Sequence, residues 1–172
     1  MIRHLRPGPA WLAAALVCLL EGCATAYQSG RAALHEGRYA DAEARFREAL
    51  AEHPERVDAR IGLGIAQYHQ GSLEAARASL ASAVEAAPDR GAGRLYLALA
   101  QLALGDQEAA ASQLDALRGL DLHARLAAEA ERAAGLLRSG PLAAPVREFV
   151  RRSLEDGADW QQEVLLARLA PH

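Results

Sequence analysis

A 34-residue period is the sequence feature that most constrains what this chain can fold into. Glycine recurs at one phase of the period, and alanine, a large apolar residue and proline recur at three others: Gly37, Gly71 and Gly105; Ala42, Ala76 and Ala110; Phe46, Leu80 and Leu114; Pro54 and Pro88. Small residues at one phase and large apolar residues at another are typical of stacked helix-turn-helix units. The sequence therefore predicts an all-α solenoid.

Length and composition limit the possible functions further. The chain has 172 residues, which is enough for one domain with a core. Hydrophobic residues make up 51% of it and aromatic residues only 5%, so the core is expected to consist mainly of alanine and leucine. The net charge is −3, and no basic stripe is present to follow a phosphate backbone. These features argue against nucleic-acid binding.

The first 22 residues are typical of an export signal. A positively charged start precedes an apolar run, Trp11–Leu20, which is too short to span a bilayer. The segment Leu20-Glu21-Gly22-Cys23 then resembles a bacterial lipobox, although Glu21 departs from the usual pattern. Lipidation is therefore predicted at Cys23. The alternative is cleavage after the A-x-A sequence 24–26, which would release a soluble periplasmic protein.

The number and positions of the cysteines favour lipidation of Cys23. Removal of residues 1–22 takes Cys18 away and leaves Cys23 as the single cysteine, at the first position of the mature chain. A lone cysteine can form no internal disulfide, so attachment of a lipid is the use that its position indicates. By resemblance to known lipoproteins, Ala24 in the next position implies sorting to the outer membrane, facing the periplasm.

The repeats resemble tetratricopeptide repeats, with copies at 23–56, 57–90 and 91–124. The first helix of each copy carries the family's small residue, and this residue is Gly30, Gly64 and Ala98 in turn. The third copy is degenerate, because Leu122 stands where the proline should be. The resemblance implies a right-handed helical solenoid, with the glycines in the turns between paired helices and the prolines after the second helices.

The C-terminal region, 125–172, is predicted to form helices that cap the solenoid, since the last repeat would otherwise expose an apolar face. A first helix is expected from Leu122 to Arg138 with Asp121 as N-cap. A second is expected to open at Pro145 and end at Gly157, and a third to be capped by Asp159. The alternative to capping is that these helices bind a partner or form a dimer interface.

No constellation of residues indicates catalysis. Phosphate-binding glycine loops, nucleophile elbows and zinc motifs such as H-E-x-x-H or CxxC do not occur in the sequence. His35 and His69 share one repeat phase, but without a third ligand they are expected to be exposed polar residues rather than a metal pair. The sequence predicts no enzyme activity, no metal and no cofactor.

The family resemblance implies a concave groove lined by the first helix of each repeat. Its predicted partner-binding residues are Tyr27, Arg31, His35, Asp58, Ile61, Ile65, Tyr68, His69, Leu95, Leu99 and Leu102. A carboxylate clamp of the kind found in part of the family is not expected, because only Arg31 could take part. The apolar floor favours an amphipathic helix or an extended apolar peptide as ligand. The alternative is that the protein's own C-terminal helices cover this floor.

These features together predict a non-catalytic, lipid-anchored adaptor that helps to assemble or stabilise a bacterial envelope complex, such as a pilus, secretion, polysaccharide-export or cell-wall machine. Because the first helix is expected about four residues after Cys23, a tether of at most ~14 Å, the partner is expected in or near the membrane. The alternatives are a soluble periplasmic carrier of a small molecule or glycan, or an accessory subunit of an envelope enzyme. A groove ringed by aromatic side chains would favour the carrier.

Overall fold

The computed structural model describes the backbone of residues 26–120 and 122–169, and the side chains as far as residue 158. Within these ranges the chain is built of helices and turns, without a β-strand, so the predicted all-helical fold is confirmed. The helices are α1 (Ala26–His35), α2 (Tyr39–Glu52), α3 (Val57–His69), α4 (Leu73–Ala86), α5 (Gly91–Leu104), α6 (Gln107–Asp115), α7 (Ala124–Arg138) and α8 (Ala144–Leu169).

The turns inside the three helical pairs depend on glycine, as the period predicts. Gly37, Gly71 and Gly105 have φ values of 72°, 77° and 87°. This left-handed backbone conformation is costly for residues that carry a Cβ atom. The glycine at this phase therefore fixes where the chain reverses between the two helices of each pair.

Proline follows the second helix of the first two pairs. Helix α2 ends at Glu52 and helix α4 at Ala86, two residues before Pro54 and Pro88 respectively. Proline has no backbone N–H and disfavours helical backbone in the residue before it, so neither helix can continue. The predicted helix ends are confirmed at both places.

The repeated alanine and large apolar residues form the core that joins the pairs. Ala42, Ala76 and Ala110 are fully buried, and so are the large residues one helical turn later, Phe46, Leu80 and Leu114. Alanine at the first phase lets the paired helices approach closely, and the larger side chain fills the space towards the next pair. The periodic positions are therefore the structural core.

Phe46 lies in a slot between two glycine-bearing helices. A Cβ atom on Gly30 of α1 would lie 2.9 Å from the Phe46 ring, and one on Gly62 of α3 would lie 2.4 Å from its Cζ atom. Leu80 meets Gly64 in a similar way, at 2.4 Å. The sequence predicts close contacts at Gly30 and Gly64. It gives no such indication for Gly62, whose phase holds no other glycine.

The start of α7 differs from the prediction. This helix begins at Ala124, two residues later than Leu122, and its N-cap is His123. The His123 Nδ1 atom accepts a hydrogen bond from the backbone N–H of Arg125 at 3.2 Å, which satisfies one of the unpaired amides of the first turn. The predicted cap, Asp121, lies outside the described residues.

The prediction of two helices after Pro145 is wrong. Helix α8 runs without a break from Ala144 to Leu169, through both Gly157 and Asp159. Gly157 is buried, and a Cβ atom on it would lie 3.2 Å from Leu126 Cδ1 of α7. The absence of a side chain at this position lets α7 and α8 approach closely. The glycine lowers the intrinsic helix propensity of α8 but does not end the helix.

The helices are arranged in pairs up to α6, and the arrangement then changes. Consecutive first helices contact each other, α1 with α3 and α3 with α5, and each of α2 and α4 packs between two of them. Helix α7 packs on α6, whereas α8 packs on α7 and on α5. The layer of first helices is therefore continued by α8, the last helix of the described chain.

One side chain fixes the connection between α7 and α8. The Gln107 Nε2 group donates to the carbonyl oxygens of Leu137 and Gly140, both at 2.6 Å. Its Oε1 atom accepts from the backbone N–H of Leu142 at 3.0 Å. One carbonyl of the last turn of α7 and two backbone groups of the connecting segment are thus satisfied by the first residue of α6, which sets where α8 begins.

Candidate functional site

The first two repeats form an open pocket on the concave side. It encloses about 380 Å³ and lies between α1, α3 and the turn that leads into α5. The pocket is lined by Tyr27, Arg31, Leu34, Phe46, Asp58, Ile61, Gly62, Ile65, Asp89, Arg90, Gly91 and Ala92. Five of the predicted groove residues are thereby brought together: Tyr27, Arg31, Asp58, Ile61 and Ile65.

The pocket has an apolar floor and a charged rim. Phe46 and Ile61 of the floor are buried, whereas Asp58 and Arg90 of the rim are about half exposed. The Arg90 Nη2 atom lies 3.6 Å from Asp58 Oδ1. An ion pair as open to solvent as this one contributes little to folding stability, so both charges remain available to a ligand.

Arginine side chains also surround the one partly exposed aromatic ring of the pocket. The Arg56 guanidinium carbon lies 4.9 Å from the centroid of the Tyr27 ring, and that of Arg31 lies 6.0 Å from it. Contacts at these distances are within the range of cation–π attraction. Tyr27 itself packs against Phe46, with ring centroids 6.1 Å apart, so the ring is held in place from behind.

Sequence reasoning missed part of this pocket. Asp89, Arg90 and Gly91 reach it from the turn between α4 and α5, where the repeat pattern gives no groove position. Phe46 and Gly62 belong to the core, and they also line the pocket because its floor is part of the core. Arg90 could have been predicted as a pocket residue from its place directly before α5, since a residue at the start of a helix lies beside the neighbouring first helix.

The second half of the predicted groove is not open. Leu95, Leu99 and Leu102 of α5 are 3%, 0% and 3% exposed, and they share one hydrophobic cluster with Val150 and Leu154 of α8. These three predicted residues are therefore buried in the core of this structure, and their role in partner binding stays a prediction. Helix α8 packs on α5, and the apolar residues of the two helices belong to one cluster that is removed from water.

Tyr68, also predicted to line the groove, is likewise covered by α8. Its hydroxyl donates to Glu155 and accepts from Arg151 Nη1 at 2.7 Å, and Arg151 also pairs with Glu155. Burial is the main cause that raises the pKa of the Tyr68 phenol well above its usual value, with the hydrogen bond to Glu155 adding to it. The phenol is therefore a hydrogen-bond donor at neutral pH.

Arg151 is held in turn by Glu148. Its Nη2 and Nε atoms donate to the two Glu148 oxygens at 2.6 and 2.8 Å, a bidentate pair. The hydrogen bond from Arg151, followed by that from Arg152, lowers the pKa of Glu148 to about 2. Because this pKa is lowered, the pair is fully formed above the carboxyl's ordinary pKa and is lost only as the pH falls towards 2.

The two predicted histidines do not line the pocket. His35 is the exposed last residue of α1, and the ring of His69 stacks on Tyr39 with centroids 4.5 Å apart. Among the described residues, no group of three or more His, Cys, Asp or Glu side chains is placed to hold a metal ion. The pocket is also not ringed by aromatic side chains, as Tyr27 and Phe46 are its aromatic lining.

Stacked helical pairs with a concave pocket define the class of protein, a helical-repeat solenoid. Part of the chain matches a known family. Residues 27–91, which cover the first two helical pairs and the turn into the third, match the tetratricopeptide repeat family.

Solved structures show the same fold. The chain matches the TPR2B domain of yeast Sti1, solved as a complex with pHsp70, with a TM-score of 0.60 and 21% sequence identity. The match covers 66% of this chain and 94% of that domain. No curated protein matches the chain. Among the described helices, none has the combination of length and hydrophobicity that a membrane crossing requires.

Proposed function

We propose that this protein is a non-catalytic adaptor, tethered to a bacterial envelope membrane by a lipid on Cys23, which binds a protein partner in the pocket between α1 and α3. In this role it assembles or stabilises a multi-protein envelope machine. The observation that supports the binding role is the open pocket itself, because predicted groove residues of two repeats line it together.

The chemistry of the pocket suits a protein segment. The partly exposed apolar side chains of the lining, Tyr27, Leu34 and Ile65, can contact an apolar side chain of a partner, and buried apolar anchors supply most of the affinity of such contacts. Arg31, Asp58 and Arg90 on the rim offer hydrogen bonds to the polar groups around that anchor. In the similar yeast domain, the partner named is pHsp70. For this chain the partner is proposed to be an envelope protein.

The position of Cys23 supports a partner close to the membrane. The described part of α1 begins at Ala26, three residues after Cys23. Three residues span at most about 11 Å when fully extended. A lipid on Cys23 would therefore keep the pocket, which begins at Tyr27, near the membrane surface and favour partners in or beside the membrane. Ala24 supports the outer membrane as the location.

The anchoring is tested by replacing Cys23 with alanine. We expect the native chain to fractionate with membranes and to recover a specific membrane complex after crosslinking, and the Cys23→Ala chain to lose both. Recovery of both chains from the soluble periplasm, with no protein partner, would overturn the anchored-adaptor proposal. Growth in the presence of radiolabelled palmitate provides the direct readout, since only the native chain should incorporate the label.

The pocket is tested by charge reversal of Arg31. Arg31→Glu is expected to lower recovery of the partner about tenfold, in the range of losses measured at interface hot spots. Arg45→Glu on α2 is the matched control, because Arg45 is exposed and pairs with Glu48 away from the pocket. Equal recovery by Arg31→Glu and Arg45→Glu would show that the partner binds elsewhere.

A further inference from the structure

The C-terminal helix occupies the part of the groove that continues from the open pocket. Ile61 and Ile65 line the pocket, and both also pack in the hydrophobic cluster that contains Val150 and Leu154 of α8. The concave face is thus one continuous surface. Its first half is open, and its second half is covered by a segment of the same chain.

The contact made by α8 has the pattern of a bound helical ligand. Val150 and Leu154, four residues apart on one face, are 4% and 0% exposed, and they supply the apolar anchors. Arg151 and Glu155, the residues that directly follow these anchors, bond to the hydroxyl of Tyr68 on α3. The two polar groups therefore contact a side chain of the repeats, and the two anchors lie in the cluster that also contains Leu95 and Leu99 of α5.

Helix α7 and the connecting segment are also attached to the solenoid by contacts that do not involve α8. Helix α7 packs on α6 and buries its own apolar side chains: Leu126, Ala130, Ala133, Ala134 and Leu137. Gln107 holds the segment between α7 and α8. Release of α8 would therefore expose the second half of the groove and the side of α7 that α8 contacts, while α7 stays packed on α6.

We infer that α8 is an intramolecular ligand of the groove, which keeps its second half closed until a partner helix with the same pattern replaces it. The partner pattern is two apolar residues at i and i+4, with arginine at i+1 and glutamate at i+5. This inference extends the proposed binding function, and it is tested without the envelope partner.

The probe is a fluorescein-labelled peptide of residues 144–158, with fluorescence anisotropy as the readout. In the full chain α8 competes with the peptide. The apparent Kd of the peptide is therefore its intrinsic Kd divided by the fraction of chains in which the groove is open. In a full chain carrying Val150→Asp and Leu154→Asp, the groove is released. We expect this variant to bind the peptide about tenfold more tightly than the native chain, or better.

Two controls make the result specific. The same peptide with both anchors replaced by aspartate should bind neither chain, and the released variant with Tyr68→Phe should bind the native peptide more weakly, because the hydroxyl contact to Arg151 and Glu155 is lost. Circular dichroism establishes that the released variant is folded. A folded variant that does not gain affinity for the peptide overturns the inference.

A second variant covers the case in which two aspartates prevent folding. Arg151→Ala with Glu155→Ala removes only the polar contact to Tyr68 and leaves both apolar anchors in place. It should bind the peptide more tightly than the native chain, and no gain would overturn the inference. A gain in peptide affinity together with no envelope partner in the crosslinking experiment would retain the intramolecular ligand and reject the adaptor proposal.

Discussion

Replacement of Phe46 by alanine is expected to lower the free energy of unfolding by about 3–5 kcal/mol, the usual cost of truncating a fully buried aromatic residue. Phe46 is 0% exposed, and its ring is enclosed by α1 on one side and α3 on the other. In a core composed largely of alanine, few side chains are long enough to move into the space left. Urea denaturation followed by circular dichroism measures the loss.

The chain provides its own control for this substitution. Phe149, the second of its two phenylalanines, is 72% exposed on α8, and Phe149→Ala is expected to change stability by no more than about 0.5 kcal/mol. Equal losses for the two variants would contradict the assignment of Phe46 as the wedge between the first two repeats.

The location of the damage gives a second readout. Each repeat of a solenoid contacts only its neighbours, so the loss of the Phe46 wedge acts first on the pairing of α1–α2 with α3. Hydrogen exchange of amides in residues 26–52 should accelerate more than that of amides in 91–138. Uniform acceleration along the chain would mean that the solenoid unfolds as one unit.

Gly62→Ala is the second large effect expected, and it acts on the same slot from the other side. The new Cβ atom would lie 2.4 Å from Phe46 Cζ and 2.7 Å from both Cε atoms, which forces the ring or the helix to shift. Overpacking of this kind costs about 1–3 kcal/mol. The loss is expected even though alanine has the higher helix propensity, an opposing gain of about 1 kcal/mol.

Replacement by alanine of a glycine with open space around it should change the stability in the opposite direction. Gly135 lies inside α7 and has no neighbouring atom within 4 Å of a built Cβ, so Gly135→Ala is expected to stabilise the protein by up to about 1 kcal/mol. Thermal unfolding of the two variants, side by side, separates crowding from helix propensity. A rise in Tm for both variants would contradict the close contact at Gly62.

The contact between Gly62 and Phe46 can also be measured as a coupling. Phe46→Leu shortens the wedge and should recover part of the stability lost in Gly62→Ala, because the added methyl group then has room. The two substitutions should therefore be non-additive by about 0.5–3 kcal/mol, as is usual for residues in contact. Additive losses would show that the two positions act independently.

The 34-residue period by itself determined the repeat part of the fold. Each recurring residue acts within its own helical pair or on the next one, so a local pattern carries enough information: glycine makes the turn, proline ends the helix, and Ala42 or Phe46 packs on the adjacent helix. Tyr27, Arg31 and Ile65 of the pocket were implied by the family resemblance, which assigns groove positions to the first helix of each repeat.

Only the tertiary structure decided which surfaces stay open. Arg151 and Glu155 bond to Tyr68 across 83 and 87 residues of sequence, a separation that belongs to no repeat. Hydrophobic periodicity shows that a face is apolar, but it does not show which element covers that face. Leu99 and Ile65 occupy equivalent phases of the sequence. Leu99 is buried in the cluster that also contains Val150 and Leu154 of α8, whereas Ile65 lines the open pocket.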